Sequence, residues 1–179
     1  MTSSFGGPRC YTNTYMLEAN AVGKVGVEVK RAYLAGLIDG DGCIMATIER
    51  HSEKKFGFRV RVEVKLTLKE KKLLEEFVRE FNMGHVSCNR RGTALATHDW
   101  IIRDKSDLVL LLEFIKPYSR LKRKQIVIAL QILRNTVQTP ADLMKNATLA
   151  DTLSSLNVRS KNRRKNFASM IKIPVSSND

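Results

Sequence analysis

The chain has 179 residues, 31 of them lysine or arginine and 18 aspartate or glutamate, for a formal net charge of +13. A surplus of that size, in a chain long enough for one packed core plus tails, points to a polyanionic partner: nucleic acid first, an anionic membrane surface second. The longest apolar stretches, "DLVLLLEFI" and "QIVIALQIL", are too short to span a bilayer, and the scattered Cys10, Cys43, Cys88, His51, His85 and His98 exclude a disulfide framework or a zinc site, so a soluble protein of a reducing compartment is expected.

Residues 1–26 are rich in Gly, Ser, Thr and Asn, have no lasting periodicity and no signal-peptide apolar centre, and read as a flexible N-terminal arm. From Val27 to Asp41 the apolar spacing suits a helix. "CIMATIER" and "FRVRVEVKLTL" then alternate with period two: Val60, Val62, Val64 and Leu66 are apolar while Arg59, Arg61, Glu63 and Lys65 are charged, so one sheet face is buried and the other wet. "KEKKLLEEFVREF" is an amphipathic helix. "GHVSCNRRG" and "ALATHDWIIR" form a second strand pair across a Gly-containing turn, and "SDLVLLLEFI" opens a helix on a Ser or Asp N-cap. "PYSRLKRKQIVIALQIL" reads as another helix, "TPADLMKNATLADTLSSL" as one begun by Thr-Pro cap chemistry, and "RSKNRRKN" as a basic loop leading into a short last helix. This order is α+β, a curved antiparallel sheet backed by helices. Residues 27–138 make the core, and 139–179 add C-terminal helices and the basic loop to the same domain.

The stretch "YLAGLIDGDGCI", Tyr33 to Ile44, breaks the pattern of an ordinary helix. Gly36 and Gly40 fall on one helix face, Ala35 adds a further small surface, and Leu34, Leu37 and Ile38 supply packing around it. By itself this marks either a tight contact within the chain or a pairing with a second copy. Asp39 and Asp41 lie at the helix C-terminus, where the macrodipole is already negative, so a compensating cation is called for. If two copies pair about a two-fold axis, Asp41 of each and the free carbonyl of Gly40 meet there, and such hard oxygen donors suit Mg²⁺.

Leu34 through Gly42 reproduce the LAGLIDADG motif with Gly40 in place of its second alanine. The chain resembles a LAGLIDADG homing endonuclease, and the single motif copy, the element order and "KPYSRLKRKQ" make it similar to the small homodimeric branch carried by organellar group I introns. The resemblance covers roughly Val27 to Met170. It implies an αββαββα fold with a saddle-shaped sheet, a homodimer joined through the motif helix at Leu34, Ala35, Gly36, Leu37 and Gly40, and Mg²⁺ held by Asp41 and the Gly40 carbonyl. It gives Asp39 a structural role at the helix interface and sets Lys122 near the scissile phosphate, flanked by Arg120 and Lys124. The activity implied is a site-specific double-strand break in a long pseudo-palindromic DNA target, promoting intron mobility, in an organelle or an archaeal cytoplasm and not outside the cell. One departure is Leu68, aligned where the family often has a water-ordering glutamine; Lys71 or Lys72 stands in as the nearby basic group.

A two-stranded ribbon fits the major groove, and Arg59, Arg61, Glu63 and Lys65 offer donors and an acceptor there. Thr47 and Glu49 on the first strand, Asn89, Arg90 and Arg91 at the third, and Thr97, Asp99, Ile101 and Arg103 on the fourth extend this surface. On it Glu49, Glu63 and Asp99 read base edges or orient arginines. Arg159, Lys161, Arg163, Arg164 and Lys165 of the basic loop grip phosphates. The competing readings are a group I intron RNA maturase of the same fold and a DNA-binding protein with a dead site; for the first, Trp100, Tyr118 and Phe58 are too scattered to form a stacking platform.

Overall fold

The computed structural model of the chain describes residues 21–90, 92, 96–157, 168 and 171. The elements run α1 (Ala21–Asp41), β1 (Gly42–Arg50), β2 (Phe58–Leu68), α2 (Lys71–Phe81), β3 (His85–Asn89), β4 (Thr97–Ile102), α3 (Lys105–Ile115), α4 (Arg123–Arg134) and α5 (Pro140–Leu156). This is the expected α+β order, αββαββα followed by two further helices. The helix begins at Ala21, earlier than Val27, and the short last helix expected after "RSKNRRKN" lies outside the described residues.

The four strands form one antiparallel sheet in the order β1-β2-β4-β3. Cross-strand register sets the two faces, because every side chain on a strand alternates sides. Ile44 pairs with Val64, Ala46 with Val62, Val64 with Ile102 and Leu66 with Trp100, and these side chains sit beneath the helices. The opposite face pairs Cys43 with Lys65, Met45 with Glu63, Thr47 with Arg61, Glu49 with Arg59 and Thr67 with Asp99, and stays open. The period-two pattern in the sequence thus predicts both faces correctly.

Beneath the sheet, Leu74, Leu108, Leu111, Leu112, Ile115, Ile126 and Leu153 join Leu34 and Ile38 in one core. Phe77, Phe81 and Trp100 pack ring to ring, and the Trp100 indole N–H donates to the Met83 carbonyl (2.8 Å), so no buried polar group is stranded by this aromatic cluster. Helix caps follow their chemistry, with one shift. The N-cap of α3 is Asp104, whose carboxylate accepts from the Ser106 (2.9 Å) and Asp107 (3.1 Å) amides; it lies two residues before the expected Ser or Asp. Thr139 and Asp142 make a reciprocal capping box, with Pro140 beginning α5. The expected helix from Pro117 starts only at Arg123, because residues 117–122 are drawn into the turn that builds the site.

Candidate active site and nucleic-acid interface

α1 runs into β1 without a loop. A Cβ at Gly42 would lie 2.7 Å from both Cα and O of Ile38, so only glycine permits the chain to reverse there. Two aspartates flank this reversal and meet opposite fates. Asp39 turns inward: its carboxylate accepts the Ser119 hydroxyl and the amides of Arg120 (2.6 Å), Leu121 (3.1 Å) and Lys122 (3.0 Å). The Lys122 ammonium closes the latch by donating to the Asp39 carbonyl, which puts a cation on the negative end of α1. Burial pushes the Asp39 carboxyl up, but the Ser119 hydroxyl and the three amides outweigh it and hold it below the ordinary carboxylate value. Asp39 therefore orders the basic turn of its own chain, which corrects the expectation that it serves the helix interface.

Asp41, two residues on, is exposed, with no hydrogen bond or ion pair among the described residues. Gly40 beside it is also exposed, and a Cβ there would meet nothing within 4 Å; the same holds at Gly36. Val29 (62% exposed), Tyr33 (51%), Gly36 and Gly40 share this outward stripe, with Leu37 half-buried at its margin. Leu34 and Ala35 require a correction: at 1% and 0% exposed they belong to the chain's own core and have no surface left for a partner.

Lys72, expected beside the cut, has its described surroundings on the β3 side of α2. It shares a face of α2 with Glu75, Glu76 and Arg79 and lines a shallow cleft with Gly84, His85 and Val86 at the β3 edge, whereas α1 delivers Asp41 into β1 at the opposite edge. Lys71 is drawn the same way and pairs with Glu75 (2.7 Å). Leu68 packs against the core, opposite His98; the polar residue that faces the open side at this strand end is Thr67. Cys43, across from Lys65, lies where the fields of Lys65 and Lys122 overlap. Burial pushes its thiol up, while both lysines pull the other way.

The open face carries its cations in carboxylate-centred groups. Glu49 binds Arg59 (2.9 Å) and Arg61 (2.6 Å), Glu63 binds Arg103, and Asp99 accepts from Lys65 (3.2 Å) and the Thr67 hydroxyl (2.7 Å). Thr47 and Asn89 lie on the same face. Asp99 corrects the reading of it as a base reader: only 3% exposed, it lies below the surface and orients a lysine. Burial pushes its carboxyl up, yet donors from Asn89, Thr67 and Lys65 hold it below the ordinary value. Arg90 is exposed at the β3 end in a left-handed conformation (φ 50°). Arg91, Lys161, Arg163 and Arg164 lie outside the described residues. Trp100 is buried, and Phe58 and Tyr118 pack against the core, so these three aromatics build no stacking surface.

Two contributors, Ser119 and Thr67, carry no pattern in the sequence that marks their role. Ser119 does lie within "KPYSRLKRKQ", but what points to its role is indirect: a carboxylate at the negative end of a helix, Asp39, needs donors from somewhere.

Among the described residues no three His, Cys, Asp or Glu side chains gather into a metal-binding group. One chain offers the Asp41 carboxylate and the last carbonyls of α1, a set of hard oxygen donors that fits Mg²⁺ or Ca²⁺ and not zinc. Among the described residues no helix is long and apolar enough to cross a membrane.

The site is thus a carboxylate-tipped helix beside a latched lysine, set at the edge of a sheet whose open face carries Arg59, Arg61, Lys65 and Arg103. Residues 34–131 match the LAGLIDADG endonuclease family. DNA endonuclease I-CreI of Chlamydomonas reinhardtii is 30% identical over 130 residues, covering 70% of this chain and 77% of that protein. DNA endonuclease I-CvuI of Chlorella vulgaris is 30% identical over 133 residues, covering 72% and 80%. A crystal structure of I-CvuI in complex with the I-CreI target aligns with a TM-score of 0.72 at 27% identity, over 82% of this chain and 92% of that one. An archaeal intron-encoded endonuclease, I-Vdi141I, complexed with DNA shares the fold at 19% identity, with a TM-score of 0.69 over 80% and 95% of the two chains. The chain belongs to the LAGLIDADG endonuclease family, and within it is similar to the single-motif homing endonucleases.

Proposed function

We propose that two copies of this chain pair through the outward stripe of α1, lay their open sheet faces along one long pseudo-palindromic DNA duplex, and cut both strands at the pair of α1 C-termini. The observation that carries this reading is the contrast at the helix end: Asp41 and Gly40 are exposed with no partner among the described residues, while Lys122 is held beside them by Asp39. One chain alone supplies too few ligands for a divalent ion. A second Asp41 and phosphate oxygens make up the number, and Asp41 with the Gly40 carbonyl would hold Mg²⁺. When bound, the ion supplies charge stabilisation and a more acidic water at the phosphate.

The chain's own residues do the rest. Lys122 presents its ammonium to the phosphate that undergoes attack, where it offsets developing negative charge. Arg59, Arg61, Arg103 and Lys65 supply donors toward base edges and phosphates, and the carboxylates beneath and between them fix their directions. The named relatives come from chloroplast-bearing algae, which supports an organellar setting, and I-CvuI is a homing endonuclease, which supports a role in intron mobility.

The test is incubation with an intronless ribosomal RNA gene segment, in Mg²⁺ or in Ca²⁺. A discrete double-strand cut in Mg²⁺, absent in Ca²⁺, is expected. Binding without cutting in either ion overturns the nuclease reading, and restored splicing of a group I intron in its place supports the maturase.

A further inference from the structure

The three carboxylates on the open face are not equivalent. Glu49 and Glu63 keep side-chain exposures of 28% and 13%, whereas the Asp99 side chain keeps 5%. A carboxylate sealed beneath a surface meant for a polyanion is costly on its own, because burial and phosphate both disfavour its charge. Asp99 offsets that cost with donors from two neighbouring strands: Lys65 and Thr67 of β2 and Asn89 of β3. Thr67 and Asn89 already tie Asp99 to β2 and β3, so Lys65 is not needed to join the strands. What the third bond does is hold the one flexible, charged member of the group.

A free lysine on a DNA-facing sheet finds phosphates and carries no sequence information; a lysine fixed in direction can donate to a base edge. We infer that Asp99 is a positioning residue for target discrimination, holding the Lys65 ammonium from below so that its remaining N–H groups point at the duplex. This rests on the proposal that the open face binds DNA. Lys65 lies across from Cys43, which follows Asp41 and Gly42 directly, so the base pairs it reads are those nearest the cut. The Glu49 group, at the far end of the β1-β2 pairing, reads more distant ones.

The experiment uses the full chain as wild type, Asp99→Asn, Lys65→Met and the double variant, with binding measured in Ca²⁺ against the cognate duplex and every single base-pair substitution of it. Wild type should discriminate about tenfold at one or two pairs beside the cut, and both single variants should lose most of that while keeping discrimination elsewhere. Adding Asp99→Asn to Lys65→Met should change nothing further, which a purely structural role does not predict. Should Asp99→Asn fail to fold, Lys65→Met alone decides: full discrimination in that variant overturns the inference. So does an Asp99→Asn effect that persists undiminished without Lys65. Wild type that binds no duplex rejects the underlying DNA reading instead, which keeps the two failures apart.

Discussion

The inner and outer faces of the last two turns of α1 share one nine-residue motif and obey different constraints. Inside, every group is used: Asp39 has four donors, Ile38 touches the backbone of Gly42 as closely as a glycine allows, and Leu34 and Ala35 are sealed. Outside, among the described residues, a Cβ at Gly36 or Gly40 would meet nothing within 4 Å, and exposed Asp41 has no hydrogen bond or ion pair. The inner face is explained by the fold of one copy. Glycine in a helix costs about 1 kcal/mol relative to alanine, and no contact among the described residues requires it at 36 or 40, which is the contrast that the proposed pairing of two copies explains.

The largest effect separating the two faces is expected at the aspartates. Asp41→Asn should lower cleavage about a thousandfold or more while leaving DNA affinity and melting temperature near wild type, measured by single-turnover kinetics and by scanning fluorimetry. Asp39→Asn should act the other way round. It should lower stability and also reduce cleavage roughly tenfold to a hundredfold, because the turn bearing Lys122 loosens.

The Asp39 carboxyl titrates below its ordinary value in the folded chain, so its bonds contribute fully above that value and are lost as pH falls through the folded one. The melting-temperature gap between wild type and Asp39→Asn should accordingly hold steady from neutral pH to about pH 5 and close below about pH 4. A gap that widens in acid contradicts the latch.

Glycines extend the comparison with smaller effects. Gly42→Ala should destabilise the chain by about 3 kcal/mol in urea unfolding, since the new methyl overlaps the Ile38 backbone. Gly40→Ala should leave the stability of a single copy unchanged or raise it slightly, yet weaken pairing as read by light scattering across a dilution series. Equal unfolding penalties at 40 and 42 would erase the distinction between the faces.

Much of this was legible in the sequence, for identifiable reasons. Period-two alternation gives the sheet faces because one face is buried and the other wet, so Val60 to Leu66 separate cleanly. The motif at 34–42 points to Asp41 and Gly40, and the stretch "KPYSRLKRKQ" to Lys122. Helical spacing, by contrast, says which residues share a face and not which neighbour that face meets, so Leu34 and Ala35 were placed with the partner when the core claims them. Lys72 follows β2 closely in sequence, but α2 turns it toward β3. Asp39 and Asp99 form long-range hydrogen bonds, to a turn some eighty residues away and across the sheet, that no local pattern encodes.

The central claim, that the outward α1 ends of two copies form the ion site, is tested most directly by crystals of the DNA complex soaked in Mn²⁺, using its anomalous signal. Density is expected between the two Asp41 carboxylates and the phosphates at the two-fold axis. Density at the Glu49, Glu63 or Asp99 groups, with none at Asp41, would contradict it.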